Sequence, residues 1–181
     1  MKFLFASDIH GSAYFCKMLM DRIDEEKPEK IILLGDLLYH GPRNDLPEGY
    51  APKEVIAMLN ALKDRIIAVR GNCEAEVDQM VLGFDVMSTY KEMSVNGINL
   101  FLTHGHHFNK ENPPEKSGKF ALLNGHFHIP EISDEGDLVY INTGSVSIPK
   151  QNSPHSYLVL EENTFALKEL ESGKEFKKFT F

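Results

Sequence analysis

The sequence predicts an α/β protein in which two β-sheets pack face to face with helices outside. Three observations carry this reading. Apolar runs alternate with amphipathic stretches over about the first 70 residues, in the order strand, helix, strand, helix, strand. Beyond them the chain reads mostly as strands separated by turn residues. Five of the apolar runs stop abruptly at Gly together with Asp, Asn or His, which places polar chemistry at strand ends.

Residues 2–7 form an apolar run with no polar alternation, as expected of a strand covered on both faces. Ser12 is placed to cap a helix carrying Phe15, Leu19, Arg22 and Ile23 at near-helical spacing, with a charged tail that Pro28 stops. Residues 30–34 are a second buried strand, and the strand–helix–strand unit implies a right-handed parallel crossover. The stretch from His40 to Tyr50 is rich in Pro and Gly and lacks periodicity, which suits a long functional loop. Pro52 opens a helix with Val55, Ile56, Leu59 and Leu62 on one face, and residues 66–70 are the third parallel strand. A short helix is expected over residues 74–80, with Val77 and Met80 inward.

After Phe84 the character changes. Residues 89–95 and 98–103 flank Asn96-Gly97 and read as a hairpin. A polar surface loop covers 108–119, and strands follow at 120–124, 138–142, 156–161 and 164–170. Residues 175–181 suit a final edge strand. No linker or repeat divides the 181 residues, so one domain over 1–181 is expected.

The composition narrows the function. A formal charge of -8 argues against a nucleic-acid backbone or an anionic membrane as a standing partner. No apolar run approaches the roughly 20 residues of a membrane-spanning helix. The N-terminal apolar run is too short before Asp8 for a signal peptide, and Cys16 and Cys73 read as free thiols, so a cytoplasmic setting is expected. Phe84 and Phe181 are candidates for an exposed self-interface in a homo-oligomer.

The strand ends carry the chemistry. Asp8-x-His10 follows the first strand, Gly35-Asp36 the second and Gly71-Asn72 the third. His104-Gly105-His106 and Gly125-His126-x-His128 end two later strands. In open α/β sheets, ligands sit beyond the carboxyl ends of parallel strands, so these groups should meet. Left separate, each buried polar group would cost about 1–3 kcal/mol without a partner. Metal coordination satisfies them together. Two carboxylates, an amide oxygen and four imidazoles suit a pair of divalent ions of borderline hardness, Mn, Fe, Zn or Co, with Asp36 on the central strand best placed to bridge. Such ions outweigh two carboxylates and leave an anion-binding hole in an acidic protein.

In order and spacing, these five motifs resemble those of the calcineurin-like metallophosphoesterases over residues 8–128. The short chain, Gly41-Pro42-Arg43-Asn44, the Leu46–Tyr50 run and Asn142–Ser147 resemble the small bacterial phosphodiesterases of the YfcE type within that family. The resemblance implies a two-sheet αββα sandwich with a dinuclear site at one end. It implies a first metal on Asp8, His10, Asp36 and His128, and a second on Asp36, Asn72, His104 and His126. It also implies hydrolysis of a small phosphodiester by a metal-bound hydroxide, most simply with manganese, and places Asp36, Asn72, His104 and the Cys73 position in the catalytic group.

Cys73 stands where many relatives carry a His that handles the phosphate or the leaving group. A thiol of pKa about 8.5 is a poorer acid near neutrality, so activated aryl esters should be easier substrates than alkyl esters. Cys73 as a covalent nucleophile is the less economical alternative, since a metal site makes it unnecessary. Arg43 is either a substrate-phosphate contact or a solvated loop arginine, with Asn44 as its weaker companion. Ser145 and Ser147 lie on a Gly-rich turn and could donate near the site. His106 is expected to support His104, His107 to lie on the surface, and His40 and His155 have no evident partner. Tyr39-His40-Gly41 replaces the Asp-Arg-Gly of phosphoprotein phosphatases, which counts against that branch. The alternatives are a phosphomonoesterase or nucleotide phosphatase, or a binding scaffold like the retromer's phosphoesterase-like subunit. Retention of every ligand type argues against the scaffold.

Overall fold

The first strand, β1 (Lys2–Ala6), is buried on both faces: Leu4 and Ala6 pack toward helices, Phe3 and Phe5 toward a second sheet. The computed structural model describes residues 1–181. Helix α1 (Ala13–Glu26) follows, then β2 (Lys30–Leu33), α2 (Pro52–Ala61) and β3 (Ile66–Ala68), which completes the βαβαβ opening. Ser12 accepts the Phe15 amide hydrogen at 3.2 Å as the cap of α1. The helix ends at Lys27 in the left-handed conformation, one residue before Pro28.

The rest is β-rich. Helix α3 (Glu76–Val81) precedes strands β4 (Tyr90–Val95), β5 (Ile98–Thr103), β6 (Phe120–Asn124), β7 (Glu131–Asp134) and β8 (Leu138–Asn142). Strands β9 (Ser156–Glu161), β10 (Thr164–Glu169) and β11 (Glu175–Thr180) complete the chain. The first sheet has the order β11-β10-β9-β1-β2-β3 and the second β4-β5-β6-β8-β7. Strands β1, β2 and β3 run parallel, as do β5, β6 and β8. The first sheet is therefore parallel on its β1-β2-β3 side and antiparallel on the other, the second has a parallel centre with antiparallel flanks, and the polar groups all leave from carboxyl ends.

Between the sheets, Phe5, Ile32, Leu34 and Leu158 of the first meet Leu100, Leu102 and Leu123 of the second. Truncating one of these to alanine would cost about 2–5 kcal/mol. Helices α1 and α2 cover the outer face of the first sheet through Phe15, Leu19, Val55 and Leu59. On the outer face of the second, Phe101, Phe120, Leu122 and Tyr140 form a small cluster with Phe108.

The expected two-sheet α/β sandwich is therefore present, with three local corrections. Val77 and Met80 are 60% and 83% exposed rather than inward, because α3 has only six residues and none of them is buried. Phe84 is buried with Leu82 and Val86 against the helices, and Phe181 packs on the inter-sheet core, so neither is an exposed patch. Strand β7 was not anticipated: in Glu131-Ile132-Ser133-Asp134 only Ile132 is buried, too little pattern to read. Strand ends otherwise fall within two residues of expectation.

Candidate metal centre

Seven side chains from five loops meet at the carboxyl edge of the two sheets. The chain reaches this arrangement through unusual backbone. Asp8, His10, Asp36, His126 and His128 all have positive φ, between 49° and 66°. Non-glycine residues rarely hold that conformation, and where they do the surroundings over-determine them. Here the brace is visible: the amides of Asp8, His10 and Gly11 donate to the carbonyls of Gly35, Asp36 and Leu37, zipping the first loop to the second. Ser145 and Ser147 both donate from Oγ to the Asp8 carbonyl, at 2.9 and 3.0 Å. They are buried and act as struts for Asp8, donating beside the site as the Gly-rich turn suggested.

Two glycines are fixed by close approach. Gly35 has φ +93°, and a Cβ there would lie 2.6 Å from the Gly71 nitrogen and 2.9 Å from His104 Nδ1. At Gly125 a Cβ would run into Ser7 and Asp8. Loops from both sheets thus touch backbone to side chain.

The imidazoles are oriented by carbonyls behind them. His10 Nδ1 pairs with Tyr39 O at 2.8 Å, His104 Nδ1 with Leu34 O at 2.7 Å and His128 Nδ1 with Ile148 O at 2.6 Å. Each Nδ1 carries a hydrogen and donates it, so each ring, once neutral, presents its Nε2 lone pair to the centre. His10 Nε2 lies 3.3 Å from His128 Nε2 and 3.4 Å from Asp8 Oδ1, and His128 Nε2 is 3.0 Å from the same oxygen. His104 Nε2 is 3.3 Å from Asp36 Oδ2, 3.1 Å from Asn72 Oδ1 and 3.2 Å from His126 Nδ1. Two nests of donor atoms result, with Asp36 between them: His10 Nε2 reaches its Oδ2 at 3.7 Å from the other side.

These contacts fit cations. Two imidazole lone pairs at 3.3 Å repel unless a positive charge lies between them, and Asp8 Oδ1 is buried with no hydrogen-bond partner. The combinations Asp8/His10/His128 and Asp8/Asp36/His104 each bring one ligand atom per residue within 4.8 Å of the others. The donor set of nitrogen and oxygen suits borderline divalent ions. His10, Asp36 and Cys73 also come within this range. The Cys73 thiol, however, is pushed up by burial and by the Asp36 charge, which disfavours the thiolate.

Protonation follows the same geometry. Burial works against a proton on His104, yet Asp8 and Asp36 outweigh it and hold that imidazole at about 9. Burial likewise opposes charge on Asp8, but His104, His10 and His128 keep its carboxyl well below the usual range. Burial and the His104 charge lower His126 to about 4.

Glu74 was missed by sequence reasoning. It is 4% exposed, and its Oε2 accepts amide hydrogens from Asp36 and Gly71 while Oε1 accepts that of Leu37 at 2.7 Å. Burial and then the Asp36 charge push its carboxyl up to about 7. The only sequence signal was an acid two residues after Asn72, and it reads equally well as the start of α3.

The other expected residues divide. Arg43, Asn44 and Cys73 line one open cavity with His10, Asp36, Asn72, His126 and His128. Asn44 Nδ2 also donates to His40 O at 2.7 Å, so it shapes the loop. His106 makes no hydrogen bond to His104, whose Nδ1 is taken by Leu34; the rings merely pack at 5.4 Å. His107 packs on His106, His40 sits edge-on between Tyr39 and Tyr50, and His155 stacks on Phe15 at 3.9 Å, away from the centre. Phe127 and Lys150 line the cavity without having been anticipated.

The calcineurin-like phosphoesterase superfamily domain matches residues 1–164. Phosphodiesterase YfcE of Escherichia coli K12 is 43% identical over 167 residues, covering 92% of this chain and 91% of that protein. The solved structure of the E. coli phosphoesterase YfcE superposes with a TM-score of 0.96 at 40% identity, over 99% of both chains. A zinc complex of Vps29 from Entamoeba histolytica shares the fold at a TM-score of 0.64, with 17% identity and 99% of each chain covered.

Proposed function

The chain belongs to the calcineurin-like phosphoesterase superfamily, and on that premise we propose that it is a phosphodiesterase working with two divalent metal ions, manganese first among them. The observation that carries the reading is the pair of donor nests sharing Asp36, each lined by lone pairs that only a positive charge satisfies. Asp8, His10, Asp36 and His128 would hold one ion, and Asp36, Asn72, His104 and His126 the other. Bound there, the ions supply an acidified water and positive charge for the phosphoryl oxygens.

The chain's own residues do the rest. The carbonyls of Tyr39, Leu34 and Ile148 fix three imidazoles so that no ligand must reorient when substrate arrives. The Asp36 carboxylate is anchored by the Cys73 amide, which donates to Oδ1 at 2.9 Å and leaves Oδ2 facing His10 and His104. The cavity over the centre opens to solvent between the loops of the two sheets, so a small diester can enter with one arm on each side of the phosphorus. Cys73 keeps its proton and makes a poor acid for the leaving alcohol, which favours esters whose leaving group needs no proton.

No helix is long and apolar enough to cross a membrane. Both cysteines are free thiols, and we infer a reducing, cytoplasmic setting for the enzyme.

The test compares manganese-dependent hydrolysis of bis(p-nitrophenyl) phosphate and p-nitrophenyl phosphate. The diester should be the better substrate by kcat/KM. A preference for the monoester would move the assignment to a phosphomonoesterase or nucleotide phosphatase. No hydrolysis of either with any divalent ion would favour a scaffold.

A further inference from the structure

The cavity over the metal centre has a volume of about 340 Å³, within the range of sites that enclose small organic molecules, roughly 300–1,000 Å³. Three of its lining side chains have no part in holding the metal ions: Phe127, Arg43 and Lys150.

Phe127 is 40% exposed, although its backbone is pinned between His126 and His128 and its amide donates to Gly125 O at 2.7 Å. It belongs to none of the apolar clusters. Its ring packs edge-on against His126 at 5.1 Å, which leaves a face for a planar group.

Arg43 and Lys150 are exposed cations on loops from different sheets. Neither pairs with a carboxylate, and no other Lys or Arg lines the cavity. Lys150 is held beside the centre, since its amide donates to His128 O and its carbonyl accepts from Ser153. In a chain of net charge -8, two unpaired cations share a cavity whose only carboxylate, Asp36, faces the metal centre. A ring and two free cations outside a phosphate site complement a planar group that bears a second negative charge.

We propose that the part of the diester kept after cleavage is a nucleotide-like group, its base stacked on Phe127 and a second phosphate held between Arg43 and Lys150. This rests on the phosphodiesterase reading and specifies its substrate class as a small nucleotide diester with a further terminal phosphate. Stacking on an aromatic side chain tolerates any base, so selectivity falls on the ring and the charge rather than on base identity.

Three esters with one leaving group test it: methyl p-nitrophenyl phosphate, thymidine 5′-(p-nitrophenyl phosphate) and its 3′-phosphorylated form. In each, water adds to phosphorus, the bond to p-nitrophenolate breaks and the released proton goes to solvent, so the colour read is the same. With manganese-loaded protein, KM should fall about 5- to 10-fold from the methyl to the thymidine ester. The 3′-phosphate should lower it by about another 3-fold or more. Thymidine 3′,5′-bisphosphate should inhibit methyl-ester turnover at lower concentration than thymidine 5′-monophosphate. Phe127→Leu should abolish the first step and Phe127→Tyr keep it, while Arg43→Gln and Lys150→Gln should each shrink the second. Equal KM values for the three esters, or preferences unchanged in these variants, would overturn the inference while leaving the phosphodiesterase reading intact. If no divalent ion supports hydrolysis of any of the three, both fall together.

Discussion

Asp36 and Glu74 hold each other's loops. The Glu74 carboxylate accepts the Asp36 amide hydrogen at 2.8 Å, and the Asp36 carboxylate accepts that of Cys73, Glu74's neighbour, at 2.9 Å. The loop after β2 and the loop after β3 are thereby clamped at the residue that both donor nests share. Glu74 touches neither nest, yet it sets where the backbone of Asp36 sits.

Glu74→Ala would leave three buried amide hydrogens, those of Asp36, Leu37 and Gly71, without an acceptor. Denaturant unfolding of the metal-free variant should show a loss on the order of 3 kcal/mol. Manganese affinity by calorimetric titration should fall about 10- to 100-fold, as when groups supporting metal ligands are removed. Glu74→Gln should recover only part of either, because its NH₂ would face amide hydrogens. Wild-type affinity in both variants would refute the positioning role.

The metal-free protein should lose stability as pH rises from about 6.5 to about 9. His104 is raised from 6.5 to about 9, so its contribution is complete below the unfolded value and is lost as pH climbs through the folded one. Glu74 is raised from 4.5 to about 7, so ionising it costs stability over that interval and the cost is complete above it. Both signs point the same way. Differential scanning calorimetry in chelator should show Tm falling across this range, whereas bound cations replace the His104 proton and should remove most of the fall. A flat or rising Tm for the metal-free protein would contradict the charge balance described.

Cys73→His should raise the rate on alkyl esters relative to aryl esters by about tenfold or more, short of the roughly 100-fold at the low end of what a well-positioned acid supplies. The ratio of kcat/KM values for a methyl and an aryl leaving group checks this. An unchanged ratio would mean that leaving-group protonation is not what Cys73 limits.

Much of the centre was legible in the sequence because its residues sit where strands end. Asp8, Asp36 and Asn72 follow apolar runs that are buried on both faces, and strand polarity alone sends them to one edge. What sequence could not supply is which loop closes on which. The Glu74 clamp depends on the backbone contact at Gly35 and Gly71, and Phe127 and Lys150 face one cavity only once β6 and β8 lie side by side. Short elements were the other gap. In α3, apolar Val77 and Met80 suggested burial, but six residues at the rim had no surface to pack on. Phe84 had the opposite fate, since alternation of Leu82, Phe84 and Val86 lays an irregular segment over the helices.

The central claim is that seven side chains gather around two ions with Asp36 between them. The most direct measurement is anomalous scattering at the manganese edge from crystals equilibrated with the metal. Two peaks about 3.5–4 Å apart on either side of the Asp36 carboxylate are predicted. A single peak, or peaks away from Asp36, would contradict the account.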